Sequence, residues 1–97
     1  MQVKLYASLR QAAGTKMVEV EIRDGMTIRE ILKVVTDQYP ALEKFIWNEQ
    51  GELSEHAHVF VNSENIRRLS GLATVLKPED RLDIARRQRS WRTQRVL

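Results

Sequence analysis

Two hydrophobic periodicities within one short chain limit the folds that it can adopt. Apolar and polar residues alternate in the segments MQVKLYA, KMVEVEI, HVFVN and RLDIA, which is the pattern of half-buried strands. In TIREILKVVTDQYP the apolar residues instead recur at helical spacing. Strands interrupted by one long helix predict an α+β domain, with that helix laid across one face of a mixed sheet of about four or five strands.

The ends of the main helix are also marked in the sequence. Thr27 and Glu30 have the spacing of a capping box, in which a hydroxyl and a carboxylate satisfy free amides at a helix start. Pro40 disfavours helical backbone at the residue before it. We therefore predict a helix over residues 28–38. SLRQAAG is expected to form one helical turn, and ALEKFIW begins like a short helix.

The inward positions of these elements form the predicted core. They are Val3, Leu5, Val18, Val20, Ile22, Ile28, Ile31, Leu32, Val35, Val59, Val61, Leu82 and Ile84.

Composition excludes several classes of protein. The chain has no cysteine, so it has no disulfide framework, thiol nucleophile or thiolate metal site. No apolar run approaches the roughly 20 residues that span a bilayer, and no signal peptide is visible. We therefore expect a cytoplasmic protein that does not enter a membrane.

Catalytic and metal-binding patterns are weak. His56 and His58 would share a face if both lay on one strand, but no third ligand stands at a suggestive spacing, so packed or solvated histidines are the favoured reading. No serine lies in a nucleophile-elbow pattern, and the four glycines are scattered singly. These patterns favour a binding or carrier protein without a cofactor over an enzyme.

Three aromatic side chains are predicted to share the face of the sheet that the helix does not cover. On the expected registers, Tyr6, His58 and Phe60 all project from that face. An exposed aromatic cluster on an open sheet is a candidate partner-binding surface, although scattered surface aromatics are common.

Basic charge is concentrated at the C-terminus. The net charge is +3, yet residues 1–85 carry −2, because five arginines and no acidic residue fall within residues 86–97. We therefore predict a domain at residues 1–85 and a basic tail at 86–97. Such a tail is commonly a solvated end, but arginines with a tryptophan can also bind RNA or another polyanion. The tail residues concerned are Arg86, Arg87, Arg89, Trp91, Arg92 and Arg95.

Three segments together resemble a known family. They are VKLYASLRQAAG, DGMTIREILKVVTDQYPAL and HVFVNSENIRRLSGLATVLKPEDRLDI. They are similar to the small-subunit sulfur carriers of molybdopterin synthase, to the related carriers of thiamin and cysteine biosynthesis, and to archaeal ubiquitin-like modifiers. The resemblance extends over residues 1–84 and implies a β-grasp, ubiquitin-like fold.

The resemblance also implies a mechanism and partners. In such carriers an adenylating, E1-like enzyme activates the carboxylate of a C-terminal Gly-Gly with ATP. A sulfur donor then converts it to a thiocarboxylate. The acceptor is the molybdopterin synthase large subunit or a similar enzyme. Since glycine lacks a Cβ, it can thread a narrow channel as extended backbone.

The C-terminal segment departs from this pattern. No glycine follows Gly71, and the last two residues are Val96 and Leu97. We expect this chain, as written, not to carry sulfur. Either a divergent natural tail or a shifted reading frame would explain the abrupt change after Ile84, and the coding DNA distinguishes them.

Overall fold

A computed structural model of this protein describes residues 1–86. The helices are α1 (Ala7–Ala13), α2 (Ile28–Gln38) and α3 (Glu43–Ile46). The strands are β1 (Gln2–Leu5), β2 (Met17–Glu19), β3 (Ala57–Val61), β4 (Glu64–Asn65) and β5 (Leu82–Arg86). Single 3₁₀ turns occupy Pro40–Leu42, Ile66–Arg68 and Gly71–Ala73. None of the described helices is both long and apolar enough to cross a bilayer.

The strands form one mixed sheet in the order β2-β1-β5-β3-β4. The first and last strands, β1 and β5, lie parallel at its centre, and the other neighbouring pairs are antiparallel. Because β1 and β2 are consecutive and antiparallel, α1 must fit within their short connection. The arrangement confirms the predicted α+β, β-grasp architecture.

The main helix begins and ends where the sequence predicts. The Thr27 hydroxyl accepts a hydrogen bond from the Glu30 backbone N–H at 3.4 Å, and the Glu30 carboxylate accepts one from the Thr27 N–H at 3.0 Å. These reciprocal bonds satisfy donors that have no partner inside the helix. At the other end, the Tyr39 N–H still bonds to the Val35 carbonyl, and Pro40 then begins a 3₁₀ turn.

One hydrophobic core lies between the sheet and the helices. It contains every residue predicted for it except Ile22, and α2 contributes Ile28, Ile31, Leu32 and Val35. The prediction for Ile22 was wrong, because β2 ends at Glu19 and the chain then leaves the sheet. Ile22 is only partly buried against the edge of the core.

Some of the core comes from segments that the sequence analysis underestimated. The first helix, α1, has seven residues rather than one turn and buries Leu9, and it ends at Gly14 with φ of 77°. A left-handed residue of this kind stops a helix, and glycine adopts it without strain. Met26 and Leu76 are also buried in loops, and Ile66 is buried at the start of a 3₁₀ turn, in segments that have no clear periodicity.

Candidate functional site on the open face of the sheet

All described helices with buried residues contribute to the core on one side of the sheet, which leaves the other side uncovered. Along β3 and β5 the side chains alternate, with Val59 and Ile84 buried and their neighbours directed away from the core. We call this uncovered side the open face. Its residues include Lys4, Tyr6, Met17, His58, Phe60, Asp83 and Ala85.

Strand register arranges these side chains in two rows. In the first row Asp83 of β5 lies between Lys4 of β1 and Phe60 of β3. In the second row Ala85 lies opposite His58. Tyr6 continues the line of β1 in extended backbone, and its N–H bonds to the Ile84 carbonyl at 3.2 Å. This bond places Tyr6 beside Ala85, on the side away from His58.

The aromatic side chains are held by contacts with their neighbours. The rings of His58 and Phe60 stack with centroids 6.4 Å apart and an angle of 24° between their planes. The Tyr6 hydroxyl donates a hydrogen bond to Asp83 Oδ1 at 3.4 Å. The Lys4 ammonium lies 5.3 Å from the centroid of the Tyr6 ring. With 37% of its surface exposed, Tyr6 remains available to a partner.

The structure therefore brings together the three aromatic residues singled out from the sequence. Tyr6, His58 and Phe60 lie on the open face, and their role in binding a partner stays a prediction. Sequence analysis overlooked Asp83, although the alternation in RLDIA already placed its carboxylate on the side opposite Leu82 and Ile84.

The two histidines do not share a strand. His56 precedes β3 and is exposed, and its Nε2 lies 3.6 Å from the Glu55 carboxylate. His58 lies within β3 and is half-buried. In residues 1–86 no three histidine or carboxylate side chains lie close enough together to hold a metal ion.

The assignment of Arg86 to the tail requires a correction. Arg86 is the last residue of β5 and lies opposite Ala57 of β3. Its guanidinium stacks over the Phe45 ring of α3, with 5.0 Å from Cζ to the ring centroid, which adds a cation–π contact to the strand pairing. Arg87, Arg89, Trp91, Arg92 and Arg95 lie outside the described residues.

The sequence profile of the ThiS family matches residues 3–85, which is nearly the whole described domain. The chain belongs to the ThiS family. The match ends at the penultimate residue of β5, so the family resemblance coincides with the sheet and its covering helices.

Named members and solved structures agree with this assignment. Small archaeal modifier protein 1 of Haloferax volcanii is 34% identical over 64 residues, covering 66% of this chain and 74% of that protein. Its crystal structure superposes with a TM-score of 0.82 over 91% of this chain and 94% of the other. The solution structure of the Methanosarcina acetivorans protein of the same name is 36% identical, with a TM-score of 0.78 and coverage of 91% and 92%.

A bacterial structure extends the comparison to a complex. The Amycolatopsis orientalis BexX/CysO complex contains a chain 28% identical to this one, with a TM-score of 0.77 and coverage of 90% and 94%. Together these findings identify a ubiquitin-like protein of the sulfur-carrier and modifier type. It is a carrier or modifier rather than an enzyme.

Proposed function

We propose that this protein docks on an E1-like adenylating enzyme through the open face. The observation that supports the proposal most directly is the clustering of Tyr6, His58 and Phe60 on a side of the sheet that no described helix covers. Large aromatic side chains supply much contact area at a low cost in conformational entropy, and they are enriched at protein interfaces.

The position of this cluster also suits the delivery of a C-terminal segment. Tyr6 and His58 flank Ala85, and β5 ends at the next residue, Arg86. An enzyme bound over these side chains would therefore lie next to Arg86, the residue that precedes the C-terminal segment. Docking and presentation of the C-terminus would then occur at the same end of the molecule.

Between a modifier and a molybdopterin synthase small subunit, we favour the modifier. Two relatives at 34% and 36% identity carry the name small archaeal modifier protein 1. The acceptor would then be a modified protein, whereas the molybdopterin synthase large subunit would be the acceptor in the alternative. We place either reaction in the cytoplasm, where ATP for adenylation is available.

The C-terminal residues bear on the chemistry that follows docking. Val96 and Leu97 carry branched side chains, whereas the resemblance implies a pair of glycines after the last strand. A channel shaped for glycine leaves no room for a side chain beginning at Cβ. We therefore propose that a polypeptide of residues 1–97 binds the adenylating enzyme but does not become a thiocarboxylate.

Binding is tested with the cognate adenylating enzyme by calorimetry, using the full chain. We expect Phe60→Ala to weaken binding about tenfold or more, because truncating a central aromatic side chain removes a large contact area. Val75→Ala is the matched control, since Val75 is 58% exposed but lies beside the start of α2 rather than on the open face. It should leave the affinity within about twofold. Equal effects of the two substitutions would place the docking surface elsewhere.

Sulfur transfer is tested separately by mass spectrometry after incubation with the enzyme, ATP and sulfide. The unsubstituted polypeptide of residues 1–97 should keep its mass. The double variant Val96→Gly, Leu97→Gly should gain the mass that accompanies exchange of one carboxyl oxygen for sulfur. Thiolation of the unsubstituted chain would show that terminal glycines are not required here.

A further inference from the structure

A carboxylate lies in the middle of the open face. Asp83 belongs to β5, the central strand of the sheet, and has Lys4 on one side and Phe60 on the other. Resting on the docking proposed above, we infer that the partner presents a basic side chain to Asp83.

Among residues 1–86, only one oxygen of the Asp83 carboxylate has a hydrogen-bond partner. Oδ1 accepts the hydrogen bond from the Tyr6 hydroxyl at 3.4 Å. Among residues 1–86, no lysine, arginine or histidine nitrogen lies within ion-pair distance of Asp83. Lys4 is its neighbour in the sheet, yet the Lys4 ammonium lies over the Tyr6 ring instead. In the free protein, water can satisfy Oδ2.

Docking of a partner would change the hydrogen-bond partners of the Asp83 carboxylate. A partner that covers the aromatic rings on both sides of β5 must also cover Asp83 and remove its water. An ionised carboxylate buried without a partner is strongly destabilising, and a positioned cation removes much of that cost. Within residues 1–86 Tyr6 supplies one donor only, so we expect the second to come from the partner. A lysine or arginine is the side chain that best meets a carboxylate.

Ala85 determines where the apolar part of the partner can lie. It is the smallest side chain of the open face and is flanked by Tyr6 and His58. Alanine leaves space between these larger neighbours for an aliphatic side chain. Ala85 and Asp83 are two residues apart on one strand, and so about 7 Å apart. The matching surface therefore has an aliphatic side chain with a basic group about 7 Å from it.

The experiment measures binding of the full chain to the cognate adenylating enzyme at several salt concentrations. We expect Asp83→Asn to weaken binding about tenfold at low salt and to flatten its salt dependence. Asp83→Lys should weaken it about a hundredfold, since it opposes like charges. Asp37→Lys controls for net charge, because Asp37 is exposed on α2 behind the other face, and it should have little effect. Circular dichroism melts verify that each variant is folded.

Lys4→Met tests the main alternative, in which the Lys4 side chain changes its conformation when the partner binds and pairs with Asp83 itself. If Lys4→Met weakens binding as much as Asp83→Asn does, the inference is overturned. It is also overturned if Asp83→Asn binds as tightly as the unsubstituted chain with the same salt dependence. In either case a loss of affinity in Phe60→Ala would leave the docking proposal standing. Failure of the unsubstituted chain to bind would overturn both.

Discussion

At the scale of single residues, Asn62 joins two loops that are distant in sequence. Its backbone N–H donates to the Arg81 carbonyl at 2.9 Å, and its Oδ1 accepts from the Arg81 N–H at 3.0 Å. Its Nδ2 donates to Asp80 Oδ1, also at 3.0 Å. Asn62 has φ of 51°, in the left-handed region that asparagine tolerates better than most residues. Asn62 therefore stabilises both the turn between β3 and β4 and the loop that leads into β5.

Two substitutions at Asn62 separate the contribution of its side-chain hydrogen bonds from that of its left-handed backbone conformation. Asn62→Ala should lower the free energy of unfolding by about 2–3 kcal/mol, since it loses two side-chain hydrogen bonds and strains the backbone. Asn62→Gly loses the same bonds without the strain, so it should cost about 1 kcal/mol less. Urea unfolding of both variants measures the difference. Equal costs would show that the positive φ at this position contributes nothing.

Acid provides a second measurement of the same contact. The backbone N–H of Lys77 and then the Asn62 amide hold the pKa of Asp80 below its ordinary value. Because the pKa of Asp80 is lower in the folded state, its ionised carboxylate stabilises the fold at pH values above about 4. That contribution is lost as the pH falls through the lowered pKa. The stability difference between the parent and Asn62→Gly should therefore narrow below about pH 4.

At the scale of elements, β4 is too short to cover the edge of β3. It has two residues and pairs only with Phe60 and Val61. The Arg67 guanidinium completes the edge by donating to the Ala57 carbonyl at 3.2 Å and to the Ser54 carbonyl at 3.5 Å. A side chain thus replaces the backbone donors of a longer strand. Unpaired strand edges favour association between chains, so this contact also opposes edge-to-edge pairing.

The matched pair Arg67→Ala and Arg68→Ala tests this edge. Arg67→Ala should lower the free energy of unfolding by about 1 kcal/mol, because it leaves the part-buried Ala57 carbonyl without its donor. Arg68→Ala removes the same charge from the next residue, which is exposed, and should be close to neutral. Thermal unfolding measures both. A similar loss in the two variants would mean that charge, rather than the edge contact, accounts for the effect.

What the sequence predicts well is the set of elements with a clear periodicity. The capping box fixes the start of α2, and alternation in β3 and β5 places Phe60 and Asp83 on one face. Leu9 was missed because a two-turn helix shows little periodicity, and its burial depends on packing against the sheet. Arg86 was assigned to the tail because its charge resembles the residues after it, whereas strand pairing with Ala57 is a tertiary contact.

At the scale of the whole molecule, every residue of the described hydrophobic core lies between Val3 and Ile84. Within residues 1–86 the first and the last strand, β1 and β5, lie side by side in the interior of the sheet. A chain that stops after Arg86 keeps this core, the β5 pairing and the Phe45 contact. Hence the predicted division into a domain and a basic tail has a direct thermodynamic consequence.

Deletion of residues 87–97 should leave the unfolding temperature within about 2 °C of the parent, because no residue of the described core is lost. Ile31→Ala in the full chain is the reference for the loss of stability that follows a defect in core packing. Ile31 is fully buried in α2, and its truncation should cost about 2–4 kcal/mol and lower the unfolding temperature by about 10 °C or more. If the deletion destabilises the protein as much as Ile31→Ala does, the C-terminal residues belong to the folded unit. The division at the end of β5 would then be wrong.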